Sequence, residues 1–282
     1  MSQSQSSSLQ HLSHLPIGIF DSGIGGVSIA RNIKKALPNE SLTYIADDLY
    51  APYGEKSDSF ITDRVIELGK QLTKMPVKAI VVACNTATVT AINALREQVN
   101  IPIIGVEPAI KPAALSSKNK KVGVMVTQAT SVNERFHQLI HTYASGADVY
   151  IQPCPGLVEL IEAPGDNTDE IHSLLQAFLS SFKTQNIDTL VLGCTHYPLV
   201  NQLIAEHLSA DITIMDTAAP VTAQLQRKLV EFDLLNQAST TTNDYARDTF
   251  YTTGCDKALA CKIEELWHHS VDVQPLTKIT LA

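Results

Sequence analysis

Residues 79–106 read AIVVACNTATVTAINALREQVNIPIIGV, and this segment decides the fold. Residues 79–84 and 101–106 are short, apolar and rich in β-branched side chains, which is typical of strands. The stretch between them is long enough for a helix that connects two parallel strands. Because both strand candidates are almost continuously apolar, they indicate a sheet that is covered on both faces. The segment therefore predicts a parallel α/β fold.

The same strand–helix alternation recurs on both sides of this segment. It begins at residues 17–20 and restarts at residues 121–127, where a second series of apolar runs follows in the same order. Corresponding residues are separated by a nearly constant number of positions: Gly18 and Gly123, Cys84 and Cys194, and Ile101 and Ile212. We interpret this as an internal duplication that gives two parallel-sheet α/β domains with one topology. The alternative is that all parallel α/β strands look alike.

Composition along the chain suggests the domain boundaries. Proline, serine and lysine gather in residues 107–121, which is typical of a linker. The helical stretch after Asp216 is expected to return to the first unit, which makes the second unit an insertion. We therefore predict a disordered tail at residues 1–15, a first α/β domain of residues 16–108 plus 217–282, and a second α/β domain of residues 109–216.

Composition and charge argue against several classes of protein. The chain has 282 residues, 44% of them hydrophobic, and a formal net charge of −8. A net acidic chain argues against nucleic acid or an anionic membrane as a partner. No apolar run reaches the length of a membrane-spanning helix, and the Ser/Gln-rich start lacks the basic and apolar regions of a signal peptide. We expect a cytoplasmic protein that binds neither nucleic acid nor membrane.

The five cysteines are an odd number, which favours free thiols in a reducing compartment. None of them stands in a CxxC or Cys/His pattern with zinc spacing, so we expect no metal. Cys154, Cys255 and Cys261 are interpreted as structural. Cys84 and Cys194 differ from them because each ends an apolar strand and is followed at once by polar residues.

Cys84 and Cys194 are candidates for acid/base chemistry. Ligands of parallel sheets bind at the carboxyl ends of strands, and both thiols are expected at such ends. A helix that starts after a thiol lowers the thiol pKa through its dipole, and its free N–H groups bind an anion such as a carboxylate. Two thiols on opposite sides of a small ligand would remove a proton from one face of a carbon and deliver one to the other. The alternative is that each cysteine is a small buried hydrophobe.

Further polar residues stand near the same strand ends. Asp21 ends the first strand and is either a helix N-cap or a carboxylate that holds an ammonium group or assists Cys84. Ser22 beside it suits a carboxylate ligand. His196 lies two residues after Cys194 and is either its acid/base partner or a strand-end histidine bonded to backbone. The glycines after Asp21 match neither GxGxxG nor a P-loop, so no nucleotide is expected.

Three residues outside these strand-end pairs are also candidates. Tyr53 lies in the turn APYG (51–54), which either lines a cleft or is a plain surface turn. Thr127 and Thr130 follow the strand that corresponds to the one ending at Asp21. They suit an ammonium or carboxylate group, and as an alternative they are helix caps.

Four motifs stand in order along the chain: DSGIGG at 21–26, PYG at 52–54, CNTA at 84–87 and GCTHYP at 193–198. Together with CPGLVELIEAPGD (154–166), they resemble the glutamate racemase family of cofactor-independent amino-acid racemases over roughly residues 16–235. The resemblance implies two similar α/β domains, related by a pseudo-two-fold axis, with the active site between them. It also implies interconversion of L- and D-glutamate without a cofactor, which supplies D-glutamate for bacterial peptidoglycan. Members of the family often form dimers, so we expect a homodimer.

The resemblance also implies a role for each matching residue. The two thiols are the acid/base residues, with Cys84 acting on D-glutamate and Cys194 on L-glutamate. Substrate contact is implied for ten residues, of which the first assists Cys84 and the last assists Cys194: Asp21, Ser22, Tyr53, Gly54, Asn85, Thr86, Thr127, Thr130, Thr195 and His196. Glu162 matches a family glutamate near the site, and Glu159 competes for that assignment.

Three other functions stay open at this point. One is a racemase of the same fold that acts on aspartate or another small amino acid. The second is a non-catalytic, two-lobed ligand-binding protein whose cysteines are inert. The third is a thiol redox protein, which requires Cys84 and Cys194 to approach within disulfide distance.

Overall fold

The computed structural model describes residues 12–237, 248–254 and 256–276, which form two parallel β-sheets. The first sheet contains β1 (Ile17–Asp21), β2 (Leu42–Ala46), β3 (Ala79–Val82), β4 (Ile103–Gly105), β9 (Thr249–Thr252) and β10 (Val273–Pro275). The second contains β5 (Lys121–Val126), β6 (Asp148–Pro153), β7 (Thr189–Leu192) and β8 (Thr213–Met215). All pairings between these strands are parallel, so the predicted fold class is confirmed.

The two sheets share one topology. The strand order is β10-β9-β2-β1-β3-β4 in the first sheet and β6-β5-β7-β8 in the second. The first four strands of each domain therefore have the same arrangement. The register matches as well, because Gly18 pairs with Ile80 in the first sheet and Gly123 pairs with Leu190 in the second. Equivalent strands therefore end at equivalent positions in the two sheets. A general likeness among parallel strands would not require this agreement, so it favours the internal duplication.

Helices cover the faces of both sheets. In chain order they are α1 (Val27–Ala36), α2 (Asp58–Lys74), α3 (Asn85–Gln98), α4 (Ile110–Ser116), α5 (Gln128–Val132), α6 (Glu134–Tyr143), α7 (Leu157–Glu162), α8 (Thr168–Gln185), α9 (Asn201–Glu206), α10 (Ala218–Glu231) and α11 (Asp256–Trp267). Short 3₁₀ turns occur at Asp48–Tyr50, Tyr53–Glu55 and Tyr197–Val200. Within the described residues, none of the helices has the length and apolarity needed to cross a membrane.

Helix α2 illustrates how the sequence sets these elements. The Ser57 hydroxyl accepts the N–H of Phe60 at 3.3 Å and so satisfies a free donor in the first turn. Apolar residues then recur at helical spacing on the face that is buried, namely Ile61, Val65, Leu68 and Leu72. Each such side chain stabilises the fold by about 1.5–3 kcal/mol. Burial of this face therefore fixes α2 against the first sheet.

Helix α10 packs on the first domain although it follows the second in sequence. Its buried residues Leu225 and Leu229 belong to the same hydrophobic cluster as Ile33 of α1. Ile110, which follows β4, packs instead in a cluster with the second sheet. This packing is the arrangement expected for an inserted second domain. The division after residues 108 and 216 stays a prediction.

The tail predicted to be disordered, residues 1–15, is described by the structure only from residue 12 onwards. Residues 1–11 lie outside the described residues, but residues 12–15 form a helical turn in which the Leu15 N–H donates to the Leu12 carbonyl at 3.2 Å. The Ser13 carbonyl accepts a hydrogen bond from Lys78 Nζ at 2.6 Å. Lys78 is buried and also pairs with Glu40, so residues 12–15 are held on the first domain.

Candidate active site

Residues from the carboxyl ends of both sheets meet between the two domains. Thr195 Oγ1 of the second domain donates to Asp21 Oδ2 of the first at 3.4 Å. Thr86 Oγ1 of the first domain lies 2.9 Å from Thr127 Oγ1 of the second. The two cysteines lie close to these residues in the chain and are almost fully buried, with 5% exposure for Cys84 and 6% for Cys194. The strand-end residues that the sequence singled out therefore converge on one site.

Cys84 follows β3 and takes the N-cap position of α3. Its Sγ donates to Ser22 Oγ at 3.7 Å. The expectation of a net lowered pKa is wrong, because the pKa of this thiol is raised well above its usual value. Burial is the main cause and the Asp21 carboxylate adds to it, while the N–H of Ala87 opposes both. Cys84 is therefore a protonated thiol here, and it becomes a strong base once ionised.

The Asp21 carboxylate organises the turn after β1. It accepts the N–H of Ser22 at 2.7 Å and the N–H of Gly26 at 2.6 Å, and Gly26 directly precedes α1. Burial raises the pKa of Asp21, and this effect outweighs the opposing influence of His196 and of the two N–H donors. Asp21 thus combines the two interpretations left open by the sequence. It binds the backbone before a helix and also faces the site through Thr195.

A short turn, and not a helix, follows Cys194. The chain forms the 3₁₀ turn Tyr197–Val200, with Pro198 near its start. Proline disfavours α conformation in the residue before it, which agrees with a turn rather than an α-helix at this point. The expectation that a helix dipole acts on Cys194 is therefore wrong. The thiol has a side-chain partner instead, since His196 Nδ1 lies 3.8 Å from Cys194 Sγ.

His196 is buried between Cys194 and Glu162. Its Nε2 lies 2.6 Å from Glu162 Oε1, and the N–H of Ile24 donates to the same oxygen at 3.1 Å. Burial by itself lowers the pKa of His196, but hydrogen bonds with Cys194 and Glu162 outweigh it, so the pKa is raised well above its usual value. The pKa of Glu162 is lowered, because contacts with His196 outweigh its own burial. Cys194 therefore stands beside an imidazolium that can donate a proton.

The geometry distinguishes the two candidate glutamates. Both lie on α7, but Glu162 contacts His196, whereas the Glu159 carboxylate interacts with Glu55. Burial raises the pKa of Glu159, and the neighbouring charge of Glu55 adds to the increase. Glu162 is therefore the carboxylate that faces His196.

Glu162→Gln is expected to lower the pKa of His196, because the neutral amide removes the charge that stabilises the imidazolium. The pKa should move towards the ordinary histidine value of about 6.5. An NMR titration of the histidine ring protons measures it, with His196→Gln used to assign the signal. Glu159→Gln is the matched control on the same helix and should produce a much smaller shift. Equal shifts in the two glutamate variants would contradict the assignment.

Three threonines from both domains form a hydroxyl cluster. Thr86 Oγ1 lies 2.9 Å from Thr127 Oγ1 and 3.4 Å from Thr130 Oγ1, and Thr127 also caps α5. Beside them, Asn85 Nδ2 donates to the Val106 carbonyl at 3.2 Å, while Asn85 Oδ1 is buried without a hydrogen-bond partner among the described residues. A buried acceptor without a partner is unfavourable. Asn85 Oδ1 therefore suits a donor supplied by a ligand, such as an ammonium group.

Tyr53 and Gly54 border the site in different ways. The Tyr53 hydroxyl donates to the Asp47 carboxylate, so its proton is engaged there and only its oxygen is left to accept from a ligand. A methyl group at Gly54 would lie 2.9 Å from Thr127 Cβ, so the two domains are in close contact there. Asp47 was not singled out by the sequence analysis. Its position directly after β2, which matches that of Asp21 at the end of β1, is the signal that points to it.

Two glycines of the DSGIGG motif allow a second close approach between the domains. A methyl group at Gly25 would lie 2.6 Å from His196 Nδ1 and 2.8 Å from the His196 backbone nitrogen. A methyl group at Gly23 would overlap Glu162 Oε1, at 1.9 Å. The sequence predicts only a turn for these glycines. Their second role depends on the opposite domain, which the local sequence does not show.

The remaining cysteines that the structure describes are not paired with a candidate acid/base group, although Cys154 neighbours Tyr197 and Cys194. Cys154 is buried, Cys261 is exposed, and Cys255 falls outside the described residues. The four described cysteines are free, Cys84 and Cys194 among them. Across residues 12–237, 248–254 and 256–276, no group of three or more His, Cys, Asp or Glu side chains could hold a metal ion.

Known proteins are similar to this chain in sequence and in fold. The chain is 43% identical to a glutamate racemase from Pseudomonas paraeruginosa over 253 residues, which cover 89% of the chain and 94% of the relative. A solved glutamate racemase from Bacillus anthracis is 32% identical, with a TM-score of 0.86, over 94% of this chain and 98% of that one. The glutamate racemase from Francisella tularensis, solved in complex with D-glutamate, is also 32% identical, with a TM-score of 0.81, over 95% and 99% of the two chains. The model of the Asp/Glu/Hydantoin racemase family matches residues 17–225, and the chain belongs to this family.

Proposed function

We propose that this protein interconverts L- and D-glutamate with two thiols as proton carriers and without a cofactor. The observation that carries the proposal is the pair Cys84 and Cys194, buried at equivalent strand ends of two domains with one topology. Each thiol has its own polar partners, Asp21 with Ser22 for one and His196 with Glu162 for the other. The similarity to glutamate racemases over most of the chain supports glutamate as the substrate.

In the proposed reaction one thiolate removes the α-proton and the opposite thiol delivers a proton to the other face. By resemblance, Cys84 acts as base on D-glutamate and Cys194 on L-glutamate. The raised pKa of Cys84 suits this task, because a thiolate with a high pKa is a stronger base towards a weakly acidic carbon. We assign the uptake and return of its proton to the Asp21 carboxylate, whose charge acts on this thiol and which accepts from Ser22 Oγ beside it. His196 has the same function at Cys194, where Glu162 stabilises the imidazolium.

The site must also stabilise the carbanion that forms when the α-proton leaves. We assign this to the first turn of α3, where the N–H groups of Asn85 and Thr86 lie at the positive end of the helix dipole. The clustered hydroxyls of Thr86, Thr127 and Thr130 would bind a carboxylate next to it. Asn85 Oδ1, which lacks a partner among the described residues, would accept from the substrate ammonium group.

The reaction would supply D-glutamate for peptidoglycan synthesis. We place the enzyme in the cytoplasm, where free thiols stay reduced, in agreement with the four free cysteines. A homodimer stays a prediction. An aspartate racemase of the same fold remains the closest competing function, because the carboxylate-binding groups suit either acid.

Incubation of the desalted protein with L-glutamate, without added cofactor, tests the proposal. Circular dichroism should show the signal decay to zero as the racemate forms, and D-glutamate should give the mirror-image curve. L-aspartate is the parallel sample and should change far more slowly. A folded protein that leaves glutamate unchanged, or one that prefers aspartate, would show that the proposed substrate is wrong.

A further inference from the structure

A buried charged pair supports the loop that carries Tyr53 and Gly54. Asp47 follows β2 and is fully buried, and its N–H donates to the Asp21 carbonyl at 2.9 Å. Its carboxylate accepts from Arg64 Nε at 3.0 Å, from Arg64 Nη2 at 2.5 Å and from the Tyr53 hydroxyl. A carboxylate is tolerated in the protein interior when it is paired and fully hydrogen-bonded, as it is here. Asp47, Arg64 and Tyr53 therefore form one unit, which we name the Asp47 network.

Arg64 attaches the loop to α2 at a second point. Its guanidinium carbon lies 4.2 Å from the centroid of the Tyr50 ring, and its Nη1 pairs with Glu67 at 2.5 Å. The segment from Asp47 to Tyr53 is thus held at its start, near its middle and at its end. The two-pronged contact between a planar guanidinium and a carboxylate fixes orientation as well as distance.

The far end of this loop touches the second domain. Gly54 packs so closely on Thr127 that a methyl group there would lie 2.9 Å from Thr127 Cβ. Thr127 in turn belongs to the hydroxyl cluster with Thr86 and Thr130. A displacement of the loop would therefore alter the spacing between Gly54 and the threonine hydroxyls, although the Asp47 carboxylate is bonded to the loop and not to a thiol.

We propose that Asp47 and Arg64 are positioning residues. They hold Tyr53 and Gly54 against Thr127, so that the distance between this loop and the threonine hydroxyls stays suited to the substrate. This inference rests on the proposed function, which places the substrate between these elements. The loop would contact the substrate both before and during proton transfer. Loss of its position should therefore weaken binding of the ground state and the transition state alike, which raises KM more than it lowers kcat.

Asp47→Asn and Arg64→Lys test the inference by steady-state racemisation of glutamate. In Asp47→Asn the amide cannot accept both guanidinium bonds, so KM should rise by about 10-fold or more while kcat changes by less than about 3-fold. Arg64→Lys keeps the charge but loses the two-pronged geometry, and its KM should lie between those of Asp47→Asn and the unaltered protein. Tyr53→Phe removes only the hydroxyl contact and should give the smallest increase.

Glu40→Gln is the matched control. It breaks the buried pair between Glu40 and Lys78, which lies before β2, whereas Asp47 lies directly after it. Each variant disturbs a buried ion pair, and the two pairs lie at opposite ends of β2. The melting temperature should therefore fall in both variants, but KM should rise only in Asp47→Asn. If Asp47→Asn does not fold, the KM of Arg64→Lys is compared with that of Glu40→Gln instead.

Two results would overturn the inference. One is a wild-type KM in Asp47→Asn or, if that variant does not fold, in Arg64→Lys. The other is an equal rise of KM in Glu40→Gln, which would mean that any loss of a buried pair has the same effect. Failure of the proposed function is a separate outcome, since it appears as absent glutamate racemisation in the unaltered protein.

Discussion

Cys84→Ser and Cys194→Ser are each expected to lower kcat for glutamate racemisation by about 10²–10⁴-fold in both directions. Serine fills nearly the same space in these buried positions, but its hydroxyl is a much weaker acid than a thiol. One group must remove the α-proton and the other must deliver one, so the loss of either stops the complete reaction. The measurement is kcat from L- to D-glutamate and from D- to L-glutamate for each variant.

Cys154→Ser is the stringent control for this prediction. Cys154 is also a buried thiol, it follows β6 in the second domain, and burial raises its pKa as it does for Cys84. It has no part in the proposed reaction, so its variant should keep kcat within a few-fold of the original. A fully active Cys84 or Cys194 variant, in either direction, would remove the basis for two thiol bases.

Gly25→Ala is expected to lower kcat/KM by about 10²-fold, because it separates the domains at the site. The added methyl would lie 2.8 Å from the His196 backbone nitrogen as well as 2.6 Å from its ring. A ring could rotate away, but the backbone contact is relieved only if the whole segment around Thr195 and His196 moves. That movement shifts Cys194 relative to Cys84, and proton transfer requires both thiols at short distance from one carbon.

Gly146→Ala is the matched substitution in open space, since a methyl group there meets no atom within 4 Å. It should leave both kcat/KM and the melting temperature nearly unchanged. The melting temperature of Gly25→Ala should fall little, because separation of the domains leaves each hydrophobic core intact. Wild-type kcat/KM in Gly25→Ala would show that the close contact between the domains is not required for turnover.

The strands and the two thiols could be predicted from the sequence for one physical reason. Strands buried on both faces are apolar throughout, so β3 and β7 stand out, and Cys84 and Cys194 each lie two residues after the strand end. The carboxyl ends of parallel strands must lie at one edge of the sheet, which makes the position of Asp21 and Thr127 predictable as well. Motifs and spacing therefore contained most of the information about which residues meet.

Ionisation could not be predicted in the same way. The helix dipole is a local property and suggested a lowered pKa at Cys84, whereas burial and the carboxylate of Asp21 come from the tertiary fold and prevail. At Cys194 no α-helix follows directly, because the chain forms the 3₁₀ turn Tyr197–Val200. The charge of His196 depends on Glu162, which approaches from another element of the second domain.

The local sequence does not indicate the Asp47 network either. Asp47 and Arg64 are 17 residues apart, on a strand end and a helix, and no spacing rule connects them. Tyr53 was singled out for its place in PYG, but the partner of its hydroxyl became visible only in the folded chain. Long-range polar pairs of this kind are set by the packing of elements, which apolar periodicity does not specify.

Deuterium incorporation tests the central claim of two opposed thiol bases most directly. In D₂O, with L-glutamate or D-glutamate as the starting enantiomer, initial turnover should place deuterium at the α-carbon of the product enantiomer, while recovered substrate stays protiated. This follows because the thiol that removes the proton is not the one that delivers the solvent-derived deuteron. Rapid deuteration of the recovered substrate, or direct return of the original proton to the product, would contradict two separate bases and would instead indicate a single group that serves both faces.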